Sequence, residues 1–133
     1  FGADAILIIL SAIGEKTAKK IYDIANRLNI TAIIEVHTNE EAKNALNFKN
    51  AIVGINNRNL KTLKTDIATT FNLHKILVNH SGPLICESGI KTEKEVEEVV
   101  RKTKIYNFLI GESLLRSLDT NSSLLKKITQ ISP

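Results

Sequence analysis

The feature that most constrains the fold is a regular alternation of short apolar runs with longer amphipathic stretches. The runs are rich in Ile, Leu and Val and span residues 4–10, 32–36, 51–55, 83–87 and 107–110. Each is followed by a stretch whose apolar residues recur at helical spacing, which is typical of a strand and its crossover helix. Because the runs are continuously apolar, we expect a parallel sheet with both faces covered. The pattern therefore predicts an α/β chain of five parallel βα units.

Helix signals lie between these runs. Helices are predicted over residues 15–29, 38–46 and 65–79, from Thr92 onward, and from about Ser122 to 131. Thr38 and Thr92 are each followed three residues later by a Glu, the pattern of a capping box at a helix start. The inward stripe of the first helix is predicted to comprise Ala18, Ile21, Ile24, Ala25 and Leu28.

Two architectures accommodate five successive βα units. One is an open doubly wound sheet, and the other is part of a closed (β/α)8 TIM barrel. A complete barrel takes about 250 residues, so a chain of 133 residues would form a partial barrel. The sequence contains no methionine, which leads us to expect a processed chain or the tail of a longer one.

Composition and charge exclude several classes of function. The apolar runs are far shorter than the roughly 20 residues that cross a bilayer, so no membrane association is expected. The net charge is +4, but Lys and Arg are scattered among acidic residues. This distribution argues against a nucleic-acid partner and suits a small phosphorylated substrate. Since Cys86 is the only cysteine, neither a disulfide nor a multi-cysteine metal site can form, and a cytoplasmic setting is expected.

Acidic residues stand at the ends of two apolar runs, where parallel α/β proteins place their reactive groups. Glu35 interrupts the second run, and Glu87 ends the fourth. An ionised carboxylate in such a run is costly unless it faces a wet pocket or a cation. A structural ion pair is one interpretation. The functional interpretation is that the two carboxylates divide acid and base roles between them.

Polar and glycine-containing loops follow the other strand ends. Residues 56–59, Asn-Asn-Arg-Asn, would by themselves indicate a turn, although Arg58 could bind an anionic ligand through two hydrogen bonds. Residues 88–89 and 111–113 precede helix starts, where backbone N–H groups can close on a phosphate. Two ordinary βα turns are the alternative.

The histidines and the cysteine show no pattern of a metal or nucleophile site. His37, His74 and His80 lack metal-ligand spacing, so we expect surface or core residues. Cys86 lies within an apolar run and has no activating base near it in sequence. It is predicted to be a small core residue.

Five segments carry a family resemblance. They are residues 2–9 (GADAILII), 34–37 (IEVH), 54–60 (GINNRNL), 87–90 (ESGI) and 109–116 (LIGESLLR). In order and spacing they resemble the second half of indole-3-glycerol phosphate synthase. GINNRNL and ESGI together are far more specific than any single βα turn. The resemblance implies that residues 1–133 are the C-terminal part of a TIM-barrel domain, strands four to eight, with the N-terminal strands absent.

The implied reaction closes the ring of 1-(2-carboxyphenylamino)-1-deoxyribulose 5-phosphate and then loses carbon dioxide and water. It is a lyase step of tryptophan biosynthesis that uses no metal or organic cofactor. The resemblance implies that Glu35 acts as a general base or proton shuttle and that Asn56 hydrogen-bonds the reacting oxygens. The other implied contacts are Leu7 with the anthranilate ring, Arg58, Glu87 and Ser88 with the substrate, and Ser88, Gly89, Gly111 and the Glu112 backbone with the phosphate.

The resemblance also implies what this chain lacks. The family's general-acid lysine, a second lysine and a glutamate partner belong to the first three strands. We therefore expect the chain alone to have negligible activity. A half barrel would also expose strand edges and an apolar inner face, so we expect it to pair with the missing N-terminal half or to self-associate.

Two other interpretations stay open at this point. A non-catalytic, flavodoxin-like module could bind a phosphate-containing ligand or a protein partner. Another phosphate-binding barrel enzyme, such as a phosphoribosyl isomerase, would place different polar residues at the positions of Glu35 and Asn56. The leading interpretation requires that Glu35, Asn56, Glu87 and the Gly111 turn meet at one edge of a parallel sheet.

Overall fold

Each strand is followed by a helix in the computed structural model, which describes residues 2–116 and 123–131, and two helices follow the last strand. The strands are β1 (Ala5–Ile9), β2 (Thr31–Val36), β3 (Ile52–Asn56), β4 (Leu84–Glu87) and β5 (Asn107–Leu109). The helices are α1 (Leu10–Arg27), α2 (Asn39–Ala45), α3 (Ala68–Leu77), α4 (Glu93–Thr103), α5 (Glu112–Arg116) and α6 (Ser123–Gln130). The short α5 was not predicted, and Ser122, the predicted start of the last helix, lies outside the described residues.

The five strands form one parallel sheet in the order β1-β2-β3-β4-β5. A flavodoxin-like sheet has the order 2-1-3-4-5, so that architecture is wrong for this chain. A strictly sequential order is the arrangement of strands in a (β/α)8 barrel. The fold is therefore a partial TIM barrel of five parallel βα units, as predicted.

The helices cover one side of the sheet, which we call the helix face. Ile8, Ile34, Val53, Ile55 and Cys86 point to this side, and each is at most 2% exposed. Contacts run from α1 to α2, α2 to α3, α3 to α4 and α4 to α6, so the helices form a single layer. Among the described residues, no helix is long and apolar enough to span a membrane.

The opposite side, the open face, lacks a helical layer in the described part of the chain. Its side chains are those at the alternate strand positions, which include Leu7, Glu35, Asn56, Glu87 and Leu109. Leu7 and Leu109 are 52% and 54% exposed. The expectation that both faces are covered is therefore wrong for this side, because α1, α2, α3, α4 and α6 pack on the other.

The buried stripe of α1 differs from the prediction. Ala18 and Ala25 are buried as expected, but Ile24 and Leu28 are 47% and 64% exposed. Tyr22 is buried instead, with its ring edge-on to Phe48 at a centroid distance of 5.4 Å. Its hydroxyl donates to the Lys49 carbonyl. An aromatic ring that also finds a hydrogen-bond acceptor gains more from burial than an aliphatic side chain at the edge of the stripe. This explains why Tyr22 is buried in place of Ile24 and Leu28.

The two predicted capping boxes differ from each other. At α4 both halves are present: Thr92 Oγ1 accepts from the Glu95 N–H at 3.3 Å, and Glu95 Oε2 accepts from the Thr92 N–H at 2.9 Å. At α2, Thr38 Oγ1 accepts from the Glu41 N–H at 3.2 Å. The Glu41 carboxylate, however, accepts from the backbone N–H of His37 at 2.7 Å. The second half of that box is thus displaced by one residue.

Candidate active site

The carboxyl ends of the strands bring the predicted site residues to one edge of the sheet. Strand register places Glu35 opposite Gly54 and Asn56 opposite Glu87. Gly111 follows β5 and lines the same cleft as Ser88. The predicted convergence on one mouth is therefore present, because all the strands are parallel.

Glu35 and Glu87 form a buried pair of carboxyl groups on the open face. They are 5% and 3% exposed, and a hydrogen bond links their side chains. The Glu87 carboxyl lies over Gly54, where an added Cβ would stand only 1.8 Å from Glu87 Oε1 and 2.6 Å from its Cδ. The absence of a side chain at Gly54 thus creates the space in which the two carboxyls meet.

The environment of Glu87 favours its protonated form. Burial, followed by the charge of Glu35 and the hydrogen bond to it, raises the pKa of Glu87 from 4.5 to about 7. Two carboxylates in contact repel each other, so such a pair retains one proton between them. Near neutral pH the pair can therefore both accept and release a proton.

The loop after β3 is more than a turn. Asn56, 8% exposed, uses its Oδ1 to accept from the Arg58 N–H at 2.9 Å. Asn57 is 2% exposed, and its amide nitrogen donates to the carbonyls of Glu87 and Ser88, each at 3.1 Å. Asn57 Oδ1 accepts from the Thr70 hydroxyl at 2.8 Å. The sequence did not reveal that Asn57 connects the β3 loop to the β4 loop, because the contact depends on strand register.

A cleft of about 590 Å³ opens beside these loops. Its lining includes the two predicted glycine turns and three cations, Arg58, Lys64 and Lys91. Arg58 Nη2 contacts Glu112 Oε2 at 2.7 Å, and the two side chains are 30% and 51% exposed. The lysines were not predicted as site residues, since neither stands at a strand end. The cleft can receive an anion.

The turn after β4 has two consecutive left-handed residues. Ser88 has φ 62° and Gly89 has φ 77°. A Cβ at Gly89 would lie 3.2 Å from Asn57 Cβ and 3.3 Å from Thr65 Cβ, so this position requires glycine. The Ser88 N–H already donates to the Leu109 carbonyl at 3.0 Å. A phosphate contact by Ser88 would therefore have to use its hydroxyl.

Leu7 lies on the open face of β1, one strand from Glu35. It pairs in register with Ile33, two residues before Glu35 on β2. Its side chain is half exposed toward the uncovered side of the sheet. The position suits a wall beside the carboxyl pair, and its predicted contact with an aromatic ring remains a prediction.

His37 is the residue of this region that the sequence analysis passed over. Its Nε2 lies 3.1 Å from Glu35 Oε1, and its Nδ1 lies 3.4 Å from Glu41 Oε2. The ring is 11% exposed, and neither contact has the alignment of a full hydrogen bond. The i, i+2 spacing along a strand, which puts two side chains on one face, is the signal that could have linked His37 to Glu35.

The remaining histidines and Cys86 lie in structural positions, as predicted. His80 Nε2 is 2.8 Å from the Ala51 carbonyl, and burial lowers the pKa of His74. Cys86 is a fully buried free thiol whose pKa is raised by burial. In the described part of the chain, no group of three or more His, Cys, Asp or Glu residues could hold a metal ion.

Comparison with known proteins decides the family. The sequence profile of indole-3-glycerol phosphate synthase matches residues 1–127. The chain belongs to the indole-3-glycerol phosphate synthase family.

The curated relatives are about twice as long as the chain. An indole-3-glycerol phosphate synthase of Ruminiclostridium cellulolyticum is 38% identical over 94% of the chain but only 47% of its own length. One of Hyphomonas neptunium is 37% identical over 98% of the chain and 47% of its length. The chain thus spans about half the length of the curated relatives it matches.

A solved structure supports the fold. The YdjI aldolase from Escherichia coli K12 superposes with a TM-score of 0.60, covering 96% of this chain and 54% of that one. The two sequences are only 14% identical, so the likeness concerns the fold alone.

Proposed function

We propose that this chain supplies the proton-transfer and phosphate-binding part of an indole-3-glycerol phosphate synthase site in tryptophan biosynthesis. The reaction would be the ring closure, decarboxylation and dehydration of 1-(2-carboxyphenylamino)-1-deoxyribulose 5-phosphate. The observation that carries the proposal is the buried Glu35–Glu87 carboxyl pair, which shares one edge of the sheet with Asn56 and a cation-lined cleft.

The proposed roles follow from the geometry of the pair. Loss of water from the ring-closed intermediate requires a base to remove a proton. Glu35 takes that role, with Glu87 holding the proton that the two carboxyls share. The Asn56 amide, at the end of the next strand, hydrogen-bonds the reacting oxygens. Leu7 forms the wall for the aromatic ring.

The phosphate of the substrate would occupy the cleft between the β4 and β5 turns. Arg58, Lys64 and Lys91 supply positive charge there, and the turns at Gly89 and Gly111 bring backbone N–H groups close. The charge distribution of the cleft supports a phosphate more than a neutral group. Glu112 would have to release Arg58, or share it, when the anion binds.

We propose further that the open face is covered by the three strands that the family barrel has in addition. Three observations support this partner. Leu7 and Leu109 are exposed on this face, β1 and β5 each pair on one side only, and the relatives are about twice as long. Without those strands the family's general-acid lysine is missing, so the chain alone would be inactive. The free thiol of Cys86 suits the cytoplasmic setting that we propose.

Complementation tests the proposal. The chain is mixed with the part of the Ruminiclostridium cellulolyticum relative that the match leaves uncovered, and formation of indole-3-glycerol phosphate is followed. We expect turnover from the mixture and none from either part. Glu35→Gln should lower the turnover of the mixture about a hundredfold, whereas the exposed Glu40→Gln should not.

Turnover by the chain alone at an ordinary enzyme rate, or a stoichiometric but inactive complex, would contradict the proposal. Sedimentation showing that copies of the chain associate instead would contradict the proposed partner.

A further inference from the structure

His37 stands between two carboxylates that come from different elements. Glu35 precedes it by two residues on β2 and contacts Nε2, while Glu41 of α2 contacts Nδ1. Glu35 in turn meets Glu87 of β4. The result is a continuous series of ionisable side chains, Glu41, His37, Glu35 and Glu87, that ends at the carboxyl pair.

The number of donors determines what the ring can do in this position. A carboxylate oxygen only accepts hydrogen bonds, and a neutral imidazole has only one N–H to donate. When Glu35 and Glu41 are both ionised, the imidazolium, with a proton on each nitrogen, faces them without opposing lone pairs. Both ring nitrogens are buried, so water is not available to relieve such an opposition.

Capping of α2 does not account for the imidazole. The helix start is held by Thr38 Oγ1 and by the backbone N–H of His37, which donates to Glu41 Oε2. Any residue at position 37 other than proline would offer that N–H. The cap uses only the backbone of His37, so it does not explain the contact of the ring with Glu35.

We propose that His37 is a positioning residue whose cationic ring lies against Glu35 and thereby keeps the proton of the carboxyl pair on Glu87. This inference rests on the proposed function, in which Glu35 is the base. A cation beside one carboxylate of a coupled pair stabilises the negative charge on that member. The carboxylate of Glu41 lies 3.4 Å from the second ring nitrogen and balances the charge of the ring. Within the described residues, Glu35 and Glu41 are the ionisable groups in contact with the ring, and Glu87 is the next one beyond them.

The location of the proton can be measured directly on this chain. The carboxyl carbons of Glu35 and Glu87 are followed by NMR from pH 4 to pH 9, with Glu35→Gln and Glu87→Gln used for assignment. In the unmodified chain the shared proton should reside on Glu87 and leave it at a pH of about 7. In His37→Gln the ratio of protonated Glu87 to protonated Glu35 should fall at least about tenfold, the effect of removing one opposite charge at contact distance.

His74→Gln is the matched control, since His74 lies on α3 away from the pair. It should leave the ratio unchanged. An unchanged ratio in His37→Gln, or an equal change in both variants, would overturn the inference. If His37→Gln does not fold, the unmodified chain provides the test: the shared proton should reside on Glu87, and a shared proton on Glu35 would overturn the inference.

These outcomes are separable from those of the complementation assay. The NMR measurement reports where a proton lies and requires neither substrate nor a partner. Inactive complementation with a normal proton bias would reject the proposed function, while active complementation with no bias would reject the role of His37.

Discussion

The two faces of the sheet differ in the side chains that they carry and in how far these are buried. On the helix face, most alternate side chains of the inner strands are buried under the helical layer, and Ile34, Val53 and Ile55 are 0% exposed. On the open face, the same strands carry two coupled carboxyls, an amide and half-exposed leucines. This chain therefore obtains the stability that comes from apolar burial on one face, and it keeps its polar chemistry on the other.

The largest expected effect comes from truncating a helix-face side chain. Ile34→Ala should lower the free energy of unfolding by about 2–5 kcal/mol, because the cavity in a sealed core cannot collapse fully. The adjacent Ile33 is half-buried on the open face, so Ile33→Ala should lower the free energy of unfolding by no more than about 1 kcal/mol. Urea denaturation of the two variants measures the difference. Equal losses would remove the distinction between the faces.

A second substitution tests the space in which the carboxyls meet. Gly54→Ala places a methyl group where the Glu87 carboxyl now lies, and overpacking of this kind costs about 1–3 kcal/mol. The same change in a Glu87→Ala background should cost less by at least about 1 kcal/mol, since the clash is gone. Thermal or urea unfolding of the four proteins of this cycle measures the coupling. Additive effects would show that Gly54 is needed for another reason.

The carboxyl pair should make the free energy of unfolding depend on pH. The pKa of Glu87 is about 7 in the folded chain against 4.5 ordinarily, so the folded state binds the extra proton. Stability contributed by this group is full below pH 4.5 and is lost as the pH rises to about 7. The loss is at most about 3 kcal/mol. Glu87→Gln should abolish this slope and make the chain more stable at pH 8 than the unmodified chain.

Glu97→Gln serves as the control for that pH profile. Glu97 is exposed on α4, and its hydrogen bond and charge interaction with Lys127 lower its pKa. Its contribution therefore has the opposite sign, present above the ordinary pKa and lost in acid. A profile of Glu87→Gln identical to that of the unmodified chain would contradict the raised pKa.

The smallest expected effect on stability lies at the mouth of the cleft. Arg58→Ala should change the free energy of unfolding by less than about 1 kcal/mol, because its ion pair with Glu112 is partly exposed. Binding of inorganic phosphate, followed through the amide signals of Gly89 and Gly111, should nevertheless weaken about tenfold. The exposed Lys20 on α1, as Lys20→Ala, should affect neither. Unaltered phosphate binding in Arg58→Ala would place the anion elsewhere.

Periodicity predicted the fold because a strand and a helix impose different spacings on their apolar residues. It also located Glu35, Glu87 and the glycine turns, since parallel strands end at a common edge. Periodicity could not predict which face lacked helices, because a run buried by helices and one buried inside a barrel have the same letters. The capping boxes at Thr38 and Thr92 have the same residue spacing, so the sequence did not show that only the one at Thr92 is complete.

The features that were missed depend on contacts between elements. Asn57 reaches the β4 loop only because of the register between β3 and β4, and Tyr22 displaces Ile24 from the buried side of α1 because Phe48 of the next unit lies beside it. His37 contacts Glu41 because helix α2 starts two residues later. Lys64 and Lys91 line the cleft although neither stands at a strand end.

The strictly sequential strand order also bears on how the chain acquires its structure. Each of β1 to β4 pairs with the strand that follows it, so each pairing closes a loop no longer than one βα unit. The entropy lost on closure grows only slowly with such lengths. Consecutive units can therefore condense as neighbours, without waiting for the distant ends of the polypeptide to find each other.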